Sequence, residues 1–184
     1  MVADGKSVFW YVLFAANGKA AKISGYFKEA GIEHFFPLRY KERRINNSKR
    51  QKYTMQPLIG NLVFVKSSIE VLMPHLKEIK QRLVITSDLY YRDLGTREIV
   101  VIPETQMKNF ISVAGCMQER VIYLSNKEIN LKKGTKVRIT GGLFEGLEGI
   151  FMRIKGERRV VVSLPGLLSV ATAFISIQFI LPLE

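Results

Sequence analysis

Between residues 39 and 52 the chain gathers seven cationic side chains, Arg39, Lys41, Arg43, Arg44, Lys49, Arg50 and Lys52, against the one carboxylate of Glu42. That net +6 is half of the formal +12 carried by all 184 residues. The chemistry open to such a run is ionic. It can hold the phosphate oxygens of a nucleic acid, which gives affinity without reading sequence. If about four of these side chains touch phosphates, log affinity falls with log salt at a slope of roughly −3 to −4. A solvated loop would carry the same charges with no ligand at all. Asn46-Asn47-Ser48 suits a turn at the tip of the run.

Bond-making chemistry finds little support. His34 and His75 are the only histidines and Cys116 the only cysteine. None stands at a metal-ligand spacing from another or from paired carboxylates. Ser163 and Ser169 have no histidine nearby in sequence. No glycine-rich loop ending in Lys-Ser or Lys-Thr precedes a helix. The sequence therefore predicts no catalytic residue, no metal and no cofactor. A single cysteine allows no internal disulfide and fits a reducing cytoplasm. The apolar run from Val8 to Ala16 is nine residues, too short to cross a membrane. The apolar run from Leu164 to Leu183 is broken by Pro165-Gly166 and Pro182, and it reads as core strands of a small barrel. No membrane contact is expected.

The elements that must position these residues follow from periodicity. Phe9 to Phe14 is a strong first strand. Asn17 can cap a helix from about Lys19 to Ala30, with Ala20, Ile23, Phe27 and Ala30 on one face and Gly31 at the stop. Glu33 to Tyr40 is strand-like and contains Pro37. Leu58 to Lys66 has the composition of a central strand. A helix lies within Ile69 to Gln81, where Pro74 demands a late start or a kink. Leu83 to Thr86 and Leu89 to Arg92 look like short strands. Pro103 opens a last helix with Met107, Phe110 and Ile111 on its inner face. Strand, helix, strand, strand, helix, strand predicts an α+β domain over residues 7–115, an antiparallel sheet with helices on one face. Residues 116–130 carry little pattern and read as a linker. Residues 131–184 form an all-β module.

That module opens on Lys132 to Ile150, KKGTKVRITGGLFEGLEGI. Val137 and Ile139 alternate with Lys136, Arg138 and Thr140, the period of a half-buried strand. The glycines that follow allow positive φ in a tight turn and close approach of backbones. Phe144 is an aromatic at the turn tip that either folds over a small barrel or faces a partner.

The stretch resembles the KOW motif of small nucleic-acid- and ribosomal-protein-binding barrels. Trp10-Tyr11-Val12 resembles the opening of the NusG N-terminal (NGN) domain. Phe36-Pro37, Pro57 to Val65 and Ile102-Pro103-Glu104 resemble its later signatures in order. The resemblance to the NusG family covers roughly residues 8 to 184, and the length is similar to that of the UpxY branch, which acts on polysaccharide operons. It implies an NGN-type antiparallel sheet with helices, followed by an SH3-like KOW β-barrel.

The function implied is that of a non-enzymatic, cytoplasmic, monomeric transcription elongation and antitermination factor. Its NGN domain would hold the clamp helices of RNA polymerase through Tyr11, Phe14, Leu58, Ile59 and Leu62. Strand alternation should nonetheless bury some of these. Gly60, Asn61 and Leu62 stand where the family's usual strand has proline, glycine and tyrosine. The basic run would lie near DNA or nascent RNA. Arg138 and Phe144 would meet a ribosomal protein or a termination factor. The rival reading is a KOW-containing, ribosome-associated RNA-binding protein. It leaves the Trp10-Tyr11 and Pro57 to Val65 signatures unexplained.

Overall fold

The structure, a computed structural model, describes residues 6–44, 51–57, 61–93, 95–116, 121–124, 134–164 and 167–183, with the backbone alone for 39–44, 51–54 and 123. The chain divides into two compact units, Met1–Glu104 and Thr105–Glu184. The sequence pattern places the boundary later, at Gly115.

Unit 1 runs β1 (Phe9–Phe14), α1 (Ala20–Glu29), β2 (His34–Phe35), β3 (Leu38–Arg44), β4 (Gln51–Pro57), β5 (Leu62–Ser67), α2 (Ile69–Arg82) and β6 (Val101–Ile102). Four strands form an antiparallel sheet in the order β2-β5-β1-β6, with β5 and β1 inside. β3 and β4 form a separate two-stranded hairpin. Pro37 ends the expected Glu33 to Tyr40 strand and divides it into β2 and β3, because proline cannot donate to a ladder.

In β1 and β5 the buried residues run continuously, Trp10 to Leu13 and Leu62 to Val65. Tyr11 and Leu13 lie opposite Val65 and Val63 and pack with Ile23 and Phe27 of α1 and with Leu72, Leu76 and Ile79 of α2. Trp10, Val12, Leu62 and Phe64 alternate with them and are buried too. The expected one-sided sheet is therefore closed on both faces in its central strands, which is why neither run alternates.

Three local expectations change. Asn17 does not cap α1. It sits in the left-handed region at φ 58° beside Gly18 at φ 71°, and Lys19 takes the cap position without a side-chain bond. α2 starts at Ile69 and continues through exposed Pro74, with Ser68 Oγ accepting from Val71 N at 3.4 Å. Leu83 to Thr86 is no strand: Ile85 N–H bonds to Lys80 O and Val84 N–H to Gln81 O, with Val84 at φ 51°. That is a helix-terminating motif, and it uses the apolar residues that suggested a strand.

Across the division lies α3 (Glu104–Ala114), which buries Met107, Phe110, Val113 and Ala114. Then come β7 (Ile122–Leu124), β8 (Thr135–Ile139), β9 (Glu148–Ile154), β10 (Glu157–Leu164), β11 (Leu168–Ala171) and β12 (Ile180–Pro182). They make a six-stranded antiparallel sheet in the order β12-β8-β9-β10-β11-β7. β7 falls in the stretch read as a linker. Leu124, Tyr123 and Ile122 pair with Ser169, Val170 and Ala171, so this short apolar run is an edge strand. The described residues are thus α+β, with three α-helices and two multi-stranded antiparallel sheets among them. No helix among the described residues is long and apolar enough to cross a membrane.

Candidate functional site

The basic run becomes a ladder. Register pairs Arg39 with Gln56, Lys41 with Thr54 and Arg43 with Lys52, while Tyr40, Glu42 and Arg44 pair with Met55, Tyr53 and Gln51. Alternation assigns Arg39, Lys41, Arg43 and Lys52 to one face of the hairpin. Arg44 falls on the other. Strand geometry thus sorts the charges in a way composition cannot. Lys49 and Arg50 lie outside the described residues.

The apolar set expected to meet polymerase is divided by the sheet. Tyr11 is 1% exposed, on the face covered by α1 and α2, with its ring edge-on to Phe9 and Tyr90. Leu62 is 6% exposed. Phe14 is 41% exposed and lies directly opposite Leu62 at the end of the β1–β5 ladder. Leu58 and Ile59 lie outside the described residues. Tyr11 and Leu62 are therefore core positions here, and Phe14 is the member of the set that presents surface. The other end of the β1–β5 ladder, where Trp10 lies opposite Lys66, is fixed electrostatically. Trp10 Nε1–H donates to Glu104 at 2.9 Å, and Lys66 Nζ reaches Glu104 at 3.1 Å and Glu33 at 3.4 Å. The Glu104 hydrogen bond is the main reason the Lys66 ammonium is held above its ordinary pKa.

Phe144 is 5% exposed, and its neighbour Leu143 is 66% exposed. The turn between β8 and β9 explains the exchange. Gly142 and Gly146 take φ near 82° and 81°, Leu147 N–H bonds to Phe144 O, and Gly146 N–H bonds back to Ile139 O. This folds Phe144 and Leu147 inward and leaves Leu143 outside. Leu143 joins Phe144, Phe174 and Phe179 around a groove of about 290 Å³, so Phe144, though mostly buried, still lines it. Phe174 and Ile177 are 56% and 60% exposed. The C-terminal apolar run is therefore only partly core, because a 3-10 turn over Ile177–Phe179 interrupts it. Sequence offered one signal for these residues: apolar content without strict alternation. Arg138 is engaged by Glu148, with Nε at 3.0 Å and Nη2 at 2.5 Å.

Both histidines are half-buried and hydrogen-bonded within unit 1. His34 bonds to Ser24 Oγ at 3.1 Å and to the Ile32 carbonyl at 2.9 Å. His75 Nδ1 lies 2.9 Å from the Tyr26 hydroxyl, which donates to Glu78. Among the described residues no three His, Cys, Asp or Glu side chains gather as metal ligands.

One buried group should shape the pH response. Burial pushes the Tyr90 phenol up to about 12, helped by Tyr11 and Asp88 and opposed by Arg92. Among the described residues the Tyr90 and Tyr11 hydroxyls have no hydrogen-bond partner. The folded state keeps the Tyr90 proton after the unfolded chain releases it near pH 10, so stability is complete below that pH and falls as pH rises toward 12. Tyr90→Phe should match or slightly exceed wild type at pH 7, since no bond is lost. It should then lose less stability between about pH 10 and 12. Urea midpoints across that range check it; parallel declines would exclude Tyr90 as the responsible group.

A family model described as Transcription termination factor nusG matches residues 9–111, more than half of the chain. This chain belongs to the NusG family. No curated protein matches it. The NusG family consists of non-enzymatic transcription elongation and termination factors whose members generally bind RNA polymerase. The role of this chain is of that kind. The NusG match takes in Phe14, the 58–60 segment and the whole β3–β4 hairpin. It stops short of β7 to β12, and so of Arg138 and Phe144.

Proposed function

We propose that this chain is an elongation and antitermination factor that holds the clamp helices of RNA polymerase through an NGN domain and carries a KOW barrel in β8–β12. Exposed Phe14, directly opposite Leu62 at the end of the β1–β5 ladder, carries this reading. A half-exposed aromatic at the end of a strand is apolar area that a partner helix removes from water, at about 25 cal/mol per Å² before ordering costs. Phe14, Leu58 and Ile59 form the contact, and Tyr11 and Leu62 support it from within. The cationic face of β3–β4 lies against DNA or nascent RNA phosphates. Bridging the clamp across the nucleic-acid channel disfavours opening and pausing. No bond is made or broken; the protein acts through higher affinity for the closed, elongating state. The groove lined by Leu143, Phe144 and Phe174 takes a ribosomal protein or termination factor, with Arg138 on β8. Polysaccharide operons are the targets that the UpxY likeness suggests.

The test is retention of core RNA polymerase by the immobilised protein. Wild type should retain it, and folded Phe14→Asp with Ile59→Asp should retain at least about tenfold less, the loss of roughly 1.4 kcal/mol or more of binding. Leu143→Asp with Phe174→Asp should keep polymerase and lose the second partner. Recovery of ribosomal subunits without polymerase would replace this reading with the ribosome-associated one.

A further inference from the structure

The β9–β10 hairpin poses an electrostatic problem that the functions above do not use. β9 and β10 are joined by a tight turn in which Lys155 has φ 50° and Gly156 has φ 85°. Two consecutive positive φ values match the twist of the flanking strands and fix the tip rigidly. Register then sets Arg158 directly opposite Arg153. Like charges in that position destabilise a ladder, and both side chains are exposed, as is Lys155 between them.

The nearby acids do not relieve the repulsion. Glu157 is paired with Arg159, whose buried guanidinium also bonds to the Thr172 carbonyl. Glu148 is paired with Arg138. Among the described residues no carboxylate lies within ion-pair distance of Arg153, Lys155 or Arg158.

We infer that this tip is a phosphate-binding prong, a nucleic-acid contact of unit 2 separate from the β3–β4 hairpin of unit 1. A protein partner is disfavoured by composition. Protein interfaces concentrate aromatic and apolar side chains and deplete lysine, and from Arg153 to Arg158 the sole apolar side chain, Ile154, is buried. Among the described residues, the large exposed apolar side chains of unit 2 lie elsewhere, at Leu143, Phe174, Ile177, Phe179 and Leu181. Phosphate contact needs only cations, and arginine presents two parallel donors to a phosphate. The inference does not depend on polymerase binding.

The experiment measures affinity of the full chain for a labelled, unstructured single-stranded RNA of about 20 nucleotides as salt is raised. Each phosphate neutralised contributes about −0.7 to the slope of log affinity against log salt. Arg153→Gln, Lys155→Gln and Arg158→Gln together should make the slope shallower by about 2 and weaken binding at low salt at least about tenfold. The triple variant should also melt at the same or a higher temperature, because repulsion is removed. Arg39→Gln, Lys41→Gln and Arg43→Gln serve as the unit 1 reference, and the two losses should add. A slope altered by the unit 1 changes alone would overturn the prong and leave the function proposed above standing. An unbound wild type would overturn it as well. So would a lower melting temperature of the triple variant, which would mean that the cations stabilise the hairpin. Displacement of the RNA by polyglutamate at equal charge would replace nucleic acid with an acidic protein.

Discussion

Leu62→Asp should unfold unit 1, while Phe14→Asp, directly across the same ladder, should leave it folded. Leu62 is 6% exposed in a strand whose next three residues are also buried, and Phe14 is 41% exposed at a strand end. Losing the leucine costs about 2–5 kcal/mol. Placing a carboxylate in an apolar site adds several more, unless the group takes up a proton. The total, about 5 kcal/mol or above, is comparable to the 5–15 kcal/mol that a whole domain of this kind possesses. Phe14→Asp removes surface that is already partly wet and should change stability by about 1 kcal/mol or less. Trp10 gives the readout. It is the only tryptophan, 3% exposed and bonded to Glu104, so its emission follows unfolding of unit 1 in urea. A Leu62→Asp variant with a wild-type midpoint would put Leu62 back on the surface as a direct polymerase contact.

Gly149→Val should destabilise unit 2 by about 3 kcal/mol or more, at the upper end of overpacking effects. A Cβ at residue 149 would lie 2.6 Å from the Val161 carbonyl oxygen and 2.7 Å from Val160 Cγ1. Neither neighbour can yield. Val161 is paired on both sides, to Ile150 and to Ala171, and Val160 is fully buried. Gly142 makes a different demand, since open space surrounds it and its φ is 82°. Gly142→Asn should therefore cost less than about 1 kcal/mol, because asparagine tolerates the left-handed region. Thermal unfolding followed through the amide signals of β8 to β10 separates the two. A larger loss from Gly142→Asn than from Gly149→Val would reverse the assigned roles.

These two glycines illustrate how far the sequence could be read. That glycines near 141–149 meet a turn and a close approach was legible from their place between apolar runs. Which glycine does which was not, because φ and neighbouring backbone are properties of the folded turn. Leu143 and Phe144 show the same limit. Aromatic size favours Phe144 as the partner contact, yet the bonds from Gly146 to Ile139 and from Leu147 to Phe144 turn it inward and expose Leu143. β7 was missed because a short apolar run gains strand character only when β11 supplies its ladder. Leu83 to Thr86 misled in the opposite direction: its apolar residues close α2.

The sequence by itself determined the family, through signatures spread over residues 9–111. It also determined the location of α1 and α2, whose apolar residues recur every three or four positions, and the concentration of charge between residues 39 and 52. Tertiary structure alone decided which members of an apolar strand meet water. Trp10 to Leu13 and Leu62 to Val65 are apolar at every position, so they carry no period from which to assign a face. Exposure there depends on what packs across the sheet. That packing seals Tyr11 and Leu62 inside and leaves Phe14, at the strand's end, in solvent.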